Sequence, residues 1–162
     1  MLFSLRAYRP SDFEALYQVD RQCYAPQIAY SRGELRRYLQ LPGAECVIAE
    51  AEVEGKLAGF CLSARQEGYG YIITMDVLAA YRRQGAATAL LDEIERRLAA
   101  HDVRVVGLET ATDNGPAIAF WSKHGYRKRR VRKGYYPGGR DAYTMSKELT
   151  APAEPPREKE SG

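Results

Sequence analysis

The sequence predicts one α/β domain of the α+β kind, with its elements in the order β-α-α-β-β-β-α-β-α-β-β. Three observations predict it. At 162 residues with 45% hydrophobic content, the chain can bury one proper core and is short for two. Runs of β-favouring residues alternate with segments whose apolar side chains recur at helical spacing. Two Ser/Glu pairs, each spanning three residues, mark helix starts as capping boxes.

Phe3 to Tyr8 reads as a short first strand, and Ser11 with Glu14 reads as a capping box before Phe13, Leu16 and Tyr17. An aromatic loop holding Tyr24, Pro26 and Tyr30 leads to a second box at Ser31 and Glu34, then to Leu35, Tyr38 and Leu39. Glu45 to Glu52 and Lys56 to Gln66 flank the turn-like Glu54-Gly55 and predict an antiparallel hairpin. Tyr69 to Leu78 is a half-buried strand. Ala87, Leu90, Leu91, Ile94 and Leu98 give Gly85 to Ala100 the best-defined helical face. Val103 to Thr110 is an apolar strand, Pro116 to His124 a short helix closed by Gly125, and two strands follow over Tyr126 to Lys133 and Asp141 to Leu149. The domain is expected to span residues 1–149. The Pro-rich tail, 150–162, offers almost no large apolar residue and is expected to be disordered.

Composition narrows the function classes. No apolar run approaches the roughly 20 residues of a membrane span, and Met1 to Arg6 carries no cleavable signal, so a soluble cytoplasmic protein without a membrane partner is expected. Cys23, Cys46 and Cys61 have no metal-ligand spacing and read as buried thiols; with only His101 and His124 beside them, no metal is expected. The net charge of +3 does not call for nucleic acid, although Arg127, Lys128, Arg129, Arg130, Arg132 and Lys133 concentrate it in one run. Strand alternation would put Arg127, Arg129 and Lys133 on one face and Lys128, Arg130 and Arg132 on the other, although Val131 breaks the pattern. A solvated edge strand accounts for such a run.

The chemistry starts between the strand ending near Leu78 and the helix starting near Gly85. There Tyr81-Arg82-Arg83-Gln84-Gly85-Ala86-Ala87-Thr88 forms a basic turn that opens a helix. The first amides of a helix lack internal partners and carry the positive end of its dipole, so a pyrophosphate can bind there. An ordinary turn before an amphipathic helix would look similar. A Walker loop and a dinucleotide fingerprint are both missing, which removes nucleotide kinases and dehydrogenases.

Arg82, Gly85 and Ala87 in that turn, followed by Asn114, Ala117, Ile118, Phe120, Gly125 and Tyr126, resemble the two coenzyme motifs of the GNAT superfamily of N-acetyltransferases. Tyr135-Tyr136-Pro137 with Asp141-Ala142 and Met145 is similar to the C-terminal strand pair of protein N-terminal acetyltransferases, particularly the ribosomal-protein-alanine type. The resemblance covers about Leu5 to Leu149. It implies a mixed, mostly antiparallel sheet splayed between the fourth and fifth strands, flanked by about four helices, with acetyl-CoA as cosubstrate in the gap. Met75, Asp76 and Val77 would meet the pantetheine through backbone groups. Arg82, Arg83, Gln84, Gly85, Ala86, Ala87 and Thr88 would hold the pyrophosphate, and Asn114 would contact the coenzyme.

Transfer to an amine needs a neutral nucleophile and a proton for the departing thiolate. Glu109, on an otherwise apolar strand, matches the position of the base in the resembling enzymes. The resemblance implies a tyrosine acid at the position that is here Trp121, whose indole cannot give up a proton in that role; either Trp121 packs the thioester tail and another residue is the acid, with Tyr71 on the fourth strand the candidate, or solvent protonates the thiolate, or activity has been lost. Tyr24, Pro26, Gln27 and Ile28 would face Tyr135 and Tyr136 across the peptide slot. The implied acceptor is the N-terminal amine of a protein or peptide. A small-molecule amine, an internal lysine, and a non-catalytic coenzyme A-binding or nucleic-acid-binding protein stay open as alternatives, as does monomer against homodimer.

Overall fold

Strand pairing joins the predicted strands into one seven-stranded sheet in the computed structural model, which describes residues 2–149. The tail expected to be disordered lies outside the described residues. The strands are β1 (Phe3–Ala7), β2 (Glu45–Ala51), β3 (Lys56–Gln66), β4 (Tyr69–Val77), β5 (Val105–Ala111), β6 (Arg127–Tyr136) and β7 (Arg140–Glu148), in spatial order β1-β2-β3-β4-β5-β7-β6. Every neighbouring pair is antiparallel except β4 with β5. The sheet is therefore mixed and mostly antiparallel, as expected.

The parallel pair is short. β4 and β5 share only the rungs Tyr69 to Val105, Gly70 to Val106 and Tyr71 to Gly107, after which the two strands part. β5 is meanwhile paired with β7 along its whole length, Val105 to Ala111. The splay leaves the C-terminal half of β4 with one neighbour, β3.

The helices are α1 (Phe13–Cys23), α2 (Arg32–Leu39), α3 (Ala86–Ala100) and α4 (Gly115–Lys123). The Ser31/Glu34 capping box forms, with the Glu34 amide donating to Ser31 Oγ and the Ser31 amide donating to Glu34 Oε1, both at 3.1 Å. The Ser11/Glu14 box does not. A 3-10 turn over Pro10–Asp12 precedes α1, and Asp12 accepts the Arg9 amide at 2.8 Å and both Nη atoms of Arg6 at 2.8 Å. Glu14 instead pairs with Arg32. The buried face of α3 is Ala86, Leu90, Leu91, Ile94 and Leu98, so Ala86 rather than Ala87 begins it.

Two layers of core flank the β1–β4 half. On one face α3 packs with Phe3, Val47, Cys61 and Ile72, and this cluster runs on through Val106, Leu108, Met145, Trp121 and Tyr126. On the other face α1 and α2 bury Leu16, Val19 and Leu35 against Ile48, Phe60 and Leu62. Among the described residues the β5-β7-β6 half contributes only to the first cluster, and its second face bears no core.

Two bulges set which side chains reach that second face. In β4, Leu62 pairs with Thr74 but Ser63 with Ile72, so Ile73 is an extra residue that changes the alternation. In β6, Lys128 pairs with Met145 and Arg130 with Thr144, leaving Arg129 extra. Arg127, opposite Ser146, and Arg130 and Arg132, opposite Thr144 and Ala142, share the open face; bulged Arg129 reaches it as well, its Nε 2.8 Å from Ser146 Oγ. Lys128 turns to the other side, over the Tyr143 ring. Simple alternation thus assigned Arg129 correctly beside Arg127 but misplaced Arg130 and Arg132, because the extra residue resets the period. The run does lie on a sheet-edge strand, exposed from Arg127 to Tyr135.

Gly59 lets β3 approach β4 at the wide end of the splay: a Cβ there would stand 2.4 Å from the Asp76 carbonyl oxygen and 3.1 Å from the Val77 Cα. Gly59→Ala should therefore cost about 1–3 kcal/mol of unfolding free energy in urea titration, the range for overpacking a close-packed interior. An unchanged midpoint would show that the strands can separate freely here.

Candidate active site

The splay exposes one edge of β4. Leu78 donates its amide to the Ala58 carbonyl on β3 at 2.9 Å, and alternation along the strand then directs the backbone groups of Val77 and Met75 away from β3, toward the gap. The carbonyls on that edge have side-chain donors. Tyr30 Oη donates to Ile73 O at 3.3 Å, Tyr24 Oη to Met75 O at 3.2 Å, and Arg82 Nε to Val77 O at 3.0 Å, where Cys23 Sγ also approaches to 3.4 Å. Met75 and Val77, predicted to meet a pantetheine by their backbones, thus line the gap. Asp76 directs its own side chain elsewhere.

At the wide end of the gap stands the N-terminus of α3. Gly85 caps it in the left-handed region at φ 90°, with no side chain folded back over the first amides, and the first helical bond is from the Ala89 amide to the Gly85 carbonyl at 3.0 Å. The amides of Ala86, Ala87 and Thr88 therefore precede the helical ladder. Arg83 also sits at positive φ, 61°, in a conformation that non-glycine residues seldom adopt and that concentrates at functional turns. Arg82, Arg83, Gln84 and Gly85 are exposed. A cradle of bare amides with arginines around it fits a pyrophosphate, and the unpaired strand edge beside it fits an amide-bearing arm. Thr88 Oγ1 lies 3.2 Å from His124 Nε2, which ties the cradle to the end of α4.

Glu109 stands two residues past the last β4–β5 rung, on the open face. Its side chain is only 7% exposed. Thr144 Oγ1 donates to Glu109 Oε2 at 2.7 Å from the paired position on β7, and Arg132 Nη1 lies 3.4 Å from Oε1. Two donors thus hold an acceptor-only carboxylate in one orientation. Tyr71 occupies the last rung itself, and its hydroxyl meets that of Tyr135 at 3.4 Å. Burial pushes the Tyr71 phenol well above its ordinary pKa, with the Tyr135 hydrogen bond and the Glu109 charge adding to the rise. The fold brings Glu109, Tyr71 and Tyr135 together at the fork.

The other predicted residues divide by role. Tyr135 and Tyr136 pack edge to face with ring centroids 4.9 Å apart, and Arg132 covers the Tyr135 ring at 4.9 Å. Pro26 and Gln27 are exposed and Ile28 half-buried on the α1–α2 loop. Asn114 caps α4, its Oδ1 accepting the Ala117 amide at 3.2 Å, which commits the oxygen and leaves the amide nitrogen for a ligand. Trp121 is 8% exposed and packs edge-on to Tyr126 at 5.3 Å in the main core. Its indole is part of the packing that seats α4.

One feature of the site went unread in the sequence. Asp20 on α1 and Asp76 on β4 are 0% and 1% exposed. Asp20 Oδ2 accepts the Tyr30 amide at 2.7 Å, and Asp76 Oδ1 accepts Thr74 Oγ1 at 2.5 Å. Among the described residues, Asp20 Oδ1 and Asp76 Oδ2 are buried without a donor. The two carboxyls lie within hydrogen-bonding reach of one another, and burial first, then Asp20, drives the Asp76 pKa well above the carboxylate range. A proton kept on Asp76 removes one of the two buried charges and supplies a donor between the carboxyls, and the pair fastens the Tyr30 loop to the strand that lines the gap. A link between residues 56 positions apart leaves no local spacing to read.

Comparison with known proteins shows the family and the fold. Residues 13–126 match the acetyltransferase (GNAT) family. The chain is similar to an N-alpha-acetyltransferase of Saccharolobus solfataricus, 28% identical over 160 residues that cover 91% of this chain and 93% of that protein. Its fold is similar to that of the ribosomal-protein-S18-alanine N-acetyltransferase from Escherichia coli, with a TM-score of 0.84 at 23% identity over 94% of this chain and 97% of the other. It is also similar to that of Arabidopsis thaliana NAA60 in complex with acetyl-CoA, with a TM-score of 0.79 at 23% identity over 91% and 98%.

The Asp20–Asp76 pair has a pH signature. Because the folded pKa of Asp76 is raised above its unfolded value of about 3.9, its favourable contribution is complete below that value and is lost as pH rises toward the folded pKa. Asp76→Asn, which donates at every pH, should flatten the decline in unfolding free energy between pH 5 and 8, a decline of at most about 1.4 kcal/mol per pH unit for one proton. Urea titrations of both proteins at three pH values measure it, and parallel curves would show that no proton is held there.

Proposed function

The chain belongs to the acetyltransferase (GNAT) family and is an acetyl-CoA-dependent N-acetyltransferase; from that premise we propose that its acceptor is the N-terminal α-amine of a protein or peptide. The observation that carries this reading is the buried, doubly anchored Glu109 carboxylate at the fork, beside the Tyr71 and Tyr135 hydroxyls. The name of the Saccharolobus solfataricus relative, an N-alpha-acetyltransferase, supports the α-amine over other amines.

Bound acetyl-CoA supplies the acetyl group as a thioester. The bare amides of Ala86, Ala87 and Thr88, with Arg82, Arg83 and Gln84 around them, hold its phosphates, and the Met75 and Val77 edge orients its arm. Asn114 assists through its free amide nitrogen. An α-ammonium group has a pKa of about 7.7–8.0, so a large share must lose a proton before attack. Glu109 accepts that proton, directly or through one water, while Thr144 and Arg132 keep the accepting oxygens in place. Tyr71 donates toward the leaving sulfur. Burial makes its anion costly and the Tyr135 hydrogen bond adds to that cost, so the proton leaves Tyr71 only as negative charge builds on the departing sulfur. Tyr135, Tyr136 and the loop with Tyr24, Pro26, Gln27 and Ile28 form the walls that admit an extended peptide end. The Tyr24 hydroxyl is already engaged by Met75, so Tyr24 acts by supporting the wall.

Glu109→Gln should reduce kcat by about 100-fold, within the usual span for removing a general base, with coenzyme affinity retained. Tyr71→Phe should reduce kcat in the same way if its hydroxyl moves a proton. Full activity in both variants would remove these roles. Thiol release from acetyl-CoA with Ala-, Ser- and Met-starting peptides, against N-terminally blocked peptides containing lysine, tests the acceptor. Release with free termini alone is expected; release with the blocked peptides would transfer the reading to internal lysines.

A further inference from the structure

Resting on the proposed acceptor site, we propose that the open face of the β5-β7-β6 half selects acidic peptides, with Arg127, Arg129 and Arg130 contacting carboxylates a few residues beyond the reacting amine. The face is continuous with the site. Glu109 on β5, Thr144 on β7 and Arg130 on β6 lie opposite one another across three neighbouring strands, so Arg130 is on the same surface as the catalytic carboxylate and about two strand spacings, roughly 10 Å, away. Arg132 is already engaged by Glu109 and Tyr135. Among the described residues, Arg127, Arg129 and Arg130 form no ion pair with a carboxylate, although Arg129 holds the Ser146 hydroxyl.

The β6 bulge is what makes the patch. An unbroken strand would divide these arginines between two faces, and the extra residue at Arg129 gathers them on the one that, among the described residues, no helix covers. A peptide whose amine sits at Glu109 and whose chain leaves the Tyr135–Tyr136 slot across this face passes over a row of unneutralised guanidinium groups. Arg127 and Arg130 stand opposite Ser146 and Thr144, two residues apart on β7, and side chains on one face of an extended peptide recur at that same spacing of about 6.8 Å, so acidic residues at alternate positions match the row. Guanidinium groups bind carboxylates through paired donors. A nucleic-acid strand fits less well, because from Arg127 to Gly134 the strand carries no aromatic ring on which a base could stack.

The test uses three peptides with the same first two residues, followed by an acidic, a neutral or a basic segment, and a fluorescent label at the C-terminus. Turnover is measured by thiol release and binding by anisotropy. The acidic peptide should show about tenfold lower KM than the neutral one at low salt, from two or three exposed ion pairs each worth a few-fold, with the advantage fading at about 0.5 M salt. Arg130→Glu combined with Arg127→Glu should invert the order in favour of the basic peptide, while Arg96→Glu, on the exposed side of α3, should keep the acidic preference. Equal KM for all three peptides in a protein that acetylates them overturns the proposal and leaves the acceptor reading intact. Tighter binding of the acidic peptide without turnover on any peptide supports the surface and rejects the acceptor reading. A single-stranded oligonucleotide that binds while the peptides are not distinguished overturns the proposal in favour of nucleic acid.

Discussion

The structure depends on a sheet that is allowed to come apart. β4 and β5 share three rungs and then diverge, and a backbone edge released in this way must find other partners or remain solvated. β5 solves this by full pairing with β7. β4 solves it with side chains: Tyr30, Tyr24 and Arg82 donate to successive outward carbonyls. The segments that carry these donors are the α1–α2 loop and the turn before α3, the same segments proposed to wall the acceptor slot and to hold the coenzyme phosphates. Satisfying the fork thus places the site around it.

The fork is stiffened from behind. Gly59 permits β3 to press against β4, and the Asp20–Asp76 carboxyls join α1 to the strand on the opposite side from α3. Tyr30 is gripped at both ends, its amide by Asp20 and its hydroxyl by the Ile73 carbonyl. Ile73 is the bulged residue of β4. The bulge, the loop and the carboxyl pair therefore fix one another, and they direct Tyr71 to the open face where Glu109 and Tyr135 stand.

How much of this was legible follows from the range of each interaction. Features set by neighbours in sequence could be read: the Ser31/Glu34 box, the amphipathic face of α3, the turn at Glu54-Gly55 and the bare glycine start of the cradle. The Ser11/Glu14 reading failed because Arg6 and the Arg9 amide compete for Asp12 and tighten the chain into a 3-10 turn. Glu109 could be singled out because a carboxylate among Val105, Val106 and Leu108 demands partners, but the partners themselves, Thr144 and Arg132, lie on other strands. The roles of Tyr30 and Asp20 were not legible because their partners Ile73 and Asp76 lie on a strand more than forty residues away. Trp121, expected to pack the thioester tail, has its indole against Tyr126 in the main core, a contact between residues five positions apart that the spacing of the motif does not encode.

The outer strand has a second consequence. β6 leaves one row of its backbone amides and carbonyls without a neighbouring strand, and an open row of that kind invites copies of a chain to zip together into aggregates. The kink at Arg129 and the mutual repulsion of like-charged arginines make such zipping poor, so the side chains that would read a substrate are also the ones that keep crowded molecules apart. Redesigning this strand toward neutral or apolar substrates therefore trades away colloidal stability, and a compensating charge or proline on the solvent edge would have to accompany it.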